Sequence, residues 1–174
     1  MNVAFHELAG IAIAQETAAW LGTPRAGRIV DRRRRGLVWA GAFVMAALAH
    51  GVLDALPHYY PLPPVGDAIV SMALVATWVW IAPPWLRLPL FVTCLGALVP
   101  DIIDHVPDDL HKHLHLDIPV PPNFFPWHWN GGSGSLVGRS GPRWAESLTY
   151  HAIVVAFCLV AIARTSSVLK RRDR

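Results

Sequence analysis

Four stretches of the chain stay apolar long enough to cross a bilayer, whose hydrocarbon core takes a helix of about 20 residues. They are Gly36–Leu56, Val65–Ile81, Leu86–Ile103 and Ser147–Val168. A fifth run, Asn2–Leu21, is interrupted by His6, Glu7, Gln15 and Glu16. Such groups are costly in lipid unless they face a protein interior. The pattern predicts a helix in each run, with Pro89 and Pro100 near the ends of theirs. The first run begins without a basic residue and carries charges in its apolar part, so it reads as a retained helix rather than a signal peptide. The expected fold class is all-α: a multi-pass transmembrane bundle of about five helices forming one domain. Its one long extracytoplasmic loop is 106–146, and the remaining length leaves no room for a β-rich domain.

Composition agrees with that pattern. Of 174 residues, 53% are hydrophobic and 16% charged, with a mean hydropathy of +0.37. Soluble domains carry about 25% charged residues, so the composition argues against a soluble globular domain, a disordered tail and a coiled coil. Cys94 and Cys158 lie inside apolar runs and read as small core residues, not a disulfide framework.

The net charge of +3 acquires meaning only from where the charges sit. Arg25, Arg28 and Arg32–Arg35, then Arg87, then Arg164, Lys170, Arg171, Arg172 and Arg174 make 12 of the 15 basic residues. With five spans all fall on one side, which the positive-inside rule makes cytoplasmic. The N-terminus is then extracytoplasmic, the C-terminus cytoplasmic, and the protein a multi-pass protein of the cell membrane. A basic run abutting a spanning helix is explained by topology or anionic lipid, so no nucleic-acid partner is expected. All nine histidines and nine of the twelve acidic residues gather toward the opposite side; Glu16, Asp31 and Asp173 do not.

At that rim, three runs present metal-ligand chemistry. His50 and Asp54 are four apart and share a helix face, as do Asp101, Asp104 and His105. His6 lies near the outer end of the first run, and Gly10, one turn away, would let another helix approach closely. Imidazole nitrogen and carboxylate oxygen are common ligands of zinc and related divalent ions. Taken singly, each group has a structural alternative: a helix-end hydrogen bond for His6, a structural pair for His50 and Asp54, a cap for Asp101, Asp104 and His105. Taken together they predict a metal or catalytic site. Its ligands are His6, His50, Asp54, Asp101 and Asp104, around one or two divalent ions, with zinc favoured.

Other groups are less decided. His58, directly after the second run, is a candidate proton donor or part of an interfacial aromatic cluster with Tyr59 and Tyr60. In the loop, His111, His113 and His115 alternate, so they would share a side only on a strand; exposed polar residues are the favoured reading. Phe124, Phe125, Trp127 and Trp129 suit the headgroup level, and His128 either reaches back to the site or stays at the interface. Ser133 and Ser135 lack a nucleophile-elbow context. Among Glu146, Tyr150 and His151, one is expected to line the same cavity.

His6-x-x-x-Gly10, His50-x-x-x-Asp54 (AHGVLDALP) and Leu98-x-Pro100-Asp101-x-x-Asp104-His105 (LVPDIIDH) resemble the membrane-bound metal-dependent hydrolase family, the YdjM-like proteins. The order of the His-x-x-x-Asp and Pro-Asp motifs is exchanged relative to that family. The resemblance implies a small multi-pass hydrolase and carries over His6, His50, Asp54, Asp101, Asp104 and His105 as ligand candidates. Asp101-x-x-Asp104-x-x-x-Asp108 also resembles the aspartate-rich motif of intramembrane prenyltransferases, which implies magnesium and a prenyl diphosphate-like substrate.

The leading expectation is a metal-dependent hydrolase at the extracytoplasmic face, acting on an amphiphilic or lipid ester or phosphoester. Asp104 would be its general base, and His58, His105 or His128 its proton donor. The rival expectation is a non-catalytic membrane subunit that binds metal or a partner.

Overall fold

The computed structural model describes residues 2–21, 32–59, 62–129, 134–136 and 143–172. The chain runs through α1 (Val3–Leu21), α2 (Arg32–Ala55), α3 (Pro64–Ile81), α4 (Pro84–Asp104), α5 (Val106–Leu114), a 3₁₀ turn (Pro126–His128) and α6 (Trp144–Arg172). Among the described residues every regular element is helical and none is a strand; one isolated bridge joins His58 to Ser135. Arg25, Arg28, Asp31, Tyr60, Ser133, Asp173 and Arg174 lie outside the described residues, as do the side chains of Arg32, Asp109, His113, Lys170, Arg171 and Arg172.

Among the described residues, three helices are long and apolar enough to cross a membrane: Arg33–Ala55, Pro84–Asp104 and Trp144–Ser167. Val65–Ile81 is apolar but shorter, and α1 is not in this set. The polarity of these helices is turned inside out. Trp80 is 81% exposed and Phe157 74%. Leu37, Val52, Met72 and Leu88 also face outward, while His6, Glu7, Gln15, His50 and Asp54 are buried. Water offers no reason to expose that much hydrocarbon, because burying it is the main driving force for folding. A lipid surround does.

Helix α1 occupies the middle and packs against α2, α3, α4 and α6. Its Ile11, Ala14 and Ala18 meet Leu86, Leu90 and Cys94 of α4 and Val154, Cys158 and Ile162 of α6 in one apolar core. The i, i+3 and i, i+4 spacings put these side chains on single faces. Both cysteines are buried free thiols, as their apolar context predicts. At Gly10 an added Cβ would lie 3.3 Å from the Cys94 Cα, so the predicted close approach is real, and α4 makes it. The central position of α1 explains its polar groups, since most of them never meet the surround.

The helix ends sort into two rims. The Asp67 carboxylate, in the first turn of α3, accepts the Val3 and Ala4 N–H groups at 2.7 and 3.0 Å and so ties the start of α1 to the start of α3. A carboxylate there also complements the helix dipole. The end of α2 carries His50 and Asp54, the end of α4 carries Asp101 and Asp104, and the start of α6 carries Ser147 and His151. At the opposite end, Arg164 donates to Glu16 at 2.7 Å.

Two details differ from the sequence expectation. Pro89 and Pro100 lie inside α4 rather than at its ends. Segment 106–146 is not one plain loop, because it contains α5 and the 3₁₀ turn.

Candidate metal centre

The centre begins on α2. His50 and Asp54 stand one turn apart on the inward face, and the His50 Nε2 lies 3.1 Å from Asp54 Oδ2. The other ring nitrogen, Nδ1, donates to the Ala97 carbonyl of α4 at 2.7 Å. Pro100 has no N–H to offer the Gly96 carbonyl, which opens the ladder one residue away. Asp101 follows, its Oδ1 3.4 Å from the same His50 Nε2.

The fourth group comes from the loop. His128 ends the 3₁₀ turn, its side chain only 4% exposed. Its Nε2 lies 3.2 Å from Asp54 Oδ2, 3.4 Å from Asp101 Oδ1 and 3.3 Å from His50 Nε2. Its Nδ1 donates to Asp104 Oδ2 at 2.7 Å.

One ligand atom from each of His50, Asp54, Asp101 and His128 lies within 4.8 Å of all the others. Five of the six separations fall between 3.1 and 3.4 Å. A tetrahedral ion with bonds of about 2.0–2.1 Å needs donor–donor separations of about 3.3–3.4 Å. The arrangement therefore matches the size of a tetrahedral zinc-type shell. With both Nδ1 protons committed to Ala97 and Asp104, the two Nε2 lone pairs and two carboxylate oxygens point at one place. Four electron-rich atoms this close need positive charge among them, either protons on the rings or a cation. Burial lowers the proton affinity of His128, but hydrogen bonds to Asp54 and Asp104 outweigh it and raise the pKa above the ordinary histidine value.

The remaining predicted residues surround this group. His6 is buried; its Nε2 lies 3.2 Å from the other Asp54 oxygen, Oδ1, and its ring stacks on His50 at 3.8 Å. It thus orients two of the four groups without being one of them. Asp104 was expected as ligand and general base. Its oxygens instead accept the Phe124 N–H at 2.7 Å, the Phe125 N–H at 2.9 Å and His128 Nδ1. Three donors occupy a carboxylate that is 1% exposed, which leaves it unsuited to either role.

His105 sits at the rim, its side chain 50% exposed, 3.8 Å from Asp101, with its ring 4.5 Å from that of His128. His58 is fully buried, and its Nδ1 donates to the Leu56 carbonyl at 2.7 Å. Burial pulls its pKa down to about 4, so it is neutral at physiological pH and a poor proton donor there. The loop threads past it, with Leu136 N–H donating to the His58 carbonyl at 2.9 Å.

Other motifs stay outside the centre. His151 turns to the Ser147 carbonyl at 2.6 Å, and Glu146 pairs with Arg143. Segment 106–114 is a helix and not a strand, and His111 and His115 are exposed, outside the centre. The aspartate-rich pattern also splits: Asp108 binds Lys112 at 2.6 Å on exposed α5, away from Asp101.

Sequence reasoning left His128 undecided and did not foresee the Trp127 contact beside it, where the indole packs on Gly51 of α2. The only signal was the Pro-Trp-His-Trp run, a rigid aromatic turn carrying one imidazole.

No family model, curated protein or solved structure matches the chain.

Proposed function

We propose that the protein is a membrane-bound metal-dependent hydrolase, with zinc held by His50, Asp54, Asp101 and His128 at the extracytoplasmic face. The observation that carries this reading is the near-tetrahedral set of four donor atoms with the second nitrogen of both imidazoles pinned. Metal-ligating histidines characteristically donate that nitrogen to a carbonyl or carboxylate. The resemblance in the His50-x-x-x-Asp54 and Pro100-Asp101 motifs points the same way.

A zinc ion held by these four donors would polarise a carbonyl or phosphoryl oxygen, and would activate a water only by taking it up as a fifth ligand. The chain's own residues set the rest. Asp54 and Asp101 offset the ionic charge within the bundle. His50 and His128 keep their lone pairs inward because their protons are engaged elsewhere. Asp101 is 21% exposed and His105 beside it 50%, so this side is where a substrate approaches. His105 stands there to protonate a leaving group. Phe124 and Trp129 are exposed on the same loop, and the outward helix faces are hydrocarbon, which favours an amphiphilic ester or phosphoester. The arginine distribution orients this rim outward, with the N-terminus extracytoplasmic and the C-terminus cytoplasmic.

Purified full-length protein in lipid nanodiscs tests this by metal analysis and by assay against lipid esters and phosphoesters. The expected result is roughly one divalent ion per chain and hydrolysis that disappears on chelation and returns with zinc. A well-folded protein that takes up no ion would overturn the reading.

A second reading has its own support: four protein donors already complete a tetrahedron, as in closed, non-catalytic zinc sites. Full metal occupancy with no hydrolysis of any such substrate would select that alternative.

A further inference from the structure

Three of the four candidate ligands lie on helices, whereas His128 reaches the centre from an extramembrane turn. Two features hold that turn in place. One is the Asp104 carboxylate, which gathers the N–H groups of Phe124 and Phe125 together with His128 Nδ1, all within 2.9 Å. The other is the Trp127 ring. It lies so close over α2 that a Cβ on Gly51 would come 2.5 Å from its Cε3. Only glycine fits there, and Gly51 is the neighbour of the ligand His50.

We propose that Asp104 is a positioning residue, and that with Gly51 it latches the 124–128 turn so that His128 completes the shell. The inference rests on the metal reading above and assigns a different residue a different role. The site then has two tiers: a three-donor half-site on α2 and α4 that is always present, and a fourth donor that belongs to it only while the turn is docked. The bond from His128 Nδ1 to Asp104 is charge-assisted and fixes the ring's orientation, a support whose loss typically costs 10- to 100-fold in metal affinity. In Asp104→Asn one oxygen becomes an NH2 group, so at least one of the three donors faces another donor. The charge that holds the imidazole is lost as well.

The test is zinc affinity, and the visible spectrum of bound cobalt, in the full-length protein. Wild type, Asp104→Asn, His128→Ala and the double variant are compared, with circular dichroism reporting helix content. The expected result is zinc binding weaker by roughly 10- to 100-fold in Asp104→Asn. Its cobalt absorption would lose intensity as solvent enters the shell. In the His128→Ala background, Asp104→Asn is expected to add nothing, because the residue acts through that ring. Gly51→Ala, which removes no ligand, is expected to weaken zinc in the same direction, and Asp104→Glu to restore part of the loss.

Additive losses in the double variant would overturn the proposal, since Asp104 would then act on the bundle at large. Unchanged zinc affinity in Asp104→Asn would overturn it too, while leaving the metal centre intact. A wild-type protein that binds neither zinc nor cobalt would overturn the metal reading, and this inference with it.

Discussion

Two sets of histidines share this chain and have opposite fates. His111, His113 and His115 are the densest run of imidazoles in the sequence, yet the run lies on and just after the helix α5, and His111 and His115 are exposed. His50 and His128 are separated by 78 positions and meet at 3.3 Å, beside two carboxylates. Density along the chain thus says little about ligation. What distinguishes the second set is burial, with the second ring nitrogen spent on an acceptor of another element, Ala97 for one and Asp104 for the other; the exposed His111 spends its Nδ1 only on the nearby Leu116 carbonyl.

Several measurements would break or sharpen this contrast. The largest effect is expected from the double variant His50→Ala/Asp101→Ala, which removes one donor from each helix. Metal content of the purified protein is expected to fall from roughly one ion per chain to background. Retained stoichiometry would move the ion to the exposed set. Next comes metal removal from wild type. An ion that binds only the folded state stabilises it by about 2.7 kcal/mol at a hundred times its dissociation constant. Chelation is therefore expected to lower the melting temperature by several degrees, whereas adding excess ion to the His50→Ala/Asp101→Ala variant should change nothing.

His6→Ala is expected to act more weakly. Its ring supports Asp54 and His50 from behind, so zinc affinity should drop by less than the roughly 10-fold lower bound seen for lost outer partners; a complete loss would make His6 a ligand.

His58 supplies a pH prediction. Its pKa falls from the ordinary 6.5 to about 4 on folding. The unfolded chain therefore binds the proton more readily between those values. The stability contributed by keeping His58 neutral is present above about pH 6.5 and is lost as pH falls toward 4. Thermal melts across that interval are expected to show an acid limb that flattens in His58→Gln. The smallest effect belongs to the exposed set: His111→Ala and His115→Ala should leave zinc affinity within about 2-fold of wild type, as surface substitutions usually do. A larger loss there would erase the contrast.

The contrast between α1 and α6 makes a related point about what sequence can reveal. Helix α6 reads as a span because Ile153, Phe157 and Val160 face outward. Helix α1 reads ambiguously because hydropathy averages over all its faces. His6, Glu7 and Gln15 lower that average, although none of them meets the surround. A mean over a helix cannot tell a polar group that is enclosed from one that is exposed. The pairing of His50 with Asp54 was legible because both lie on one helix, four residues apart. Asp104 was legible as important but not in its role, since its partners are backbone N–H groups 20 and 21 residues away.

By itself the sequence determined the apolar helical runs, the separation of arginines from histidines and acids, and which residues share a face. Each of these follows from composition and from the 3.6-residue period. Only the tertiary structure decided that α1 stands in the middle, that α2 turns His50 and Asp54 toward Asp101, and that a loop returns to add His128. Periodicity sets direction within one helix. It carries no information about which faces meet, and that is settled by close packing at small residues such as Gly10 and Gly51 and by the few hydrogen bonds that dock the turn.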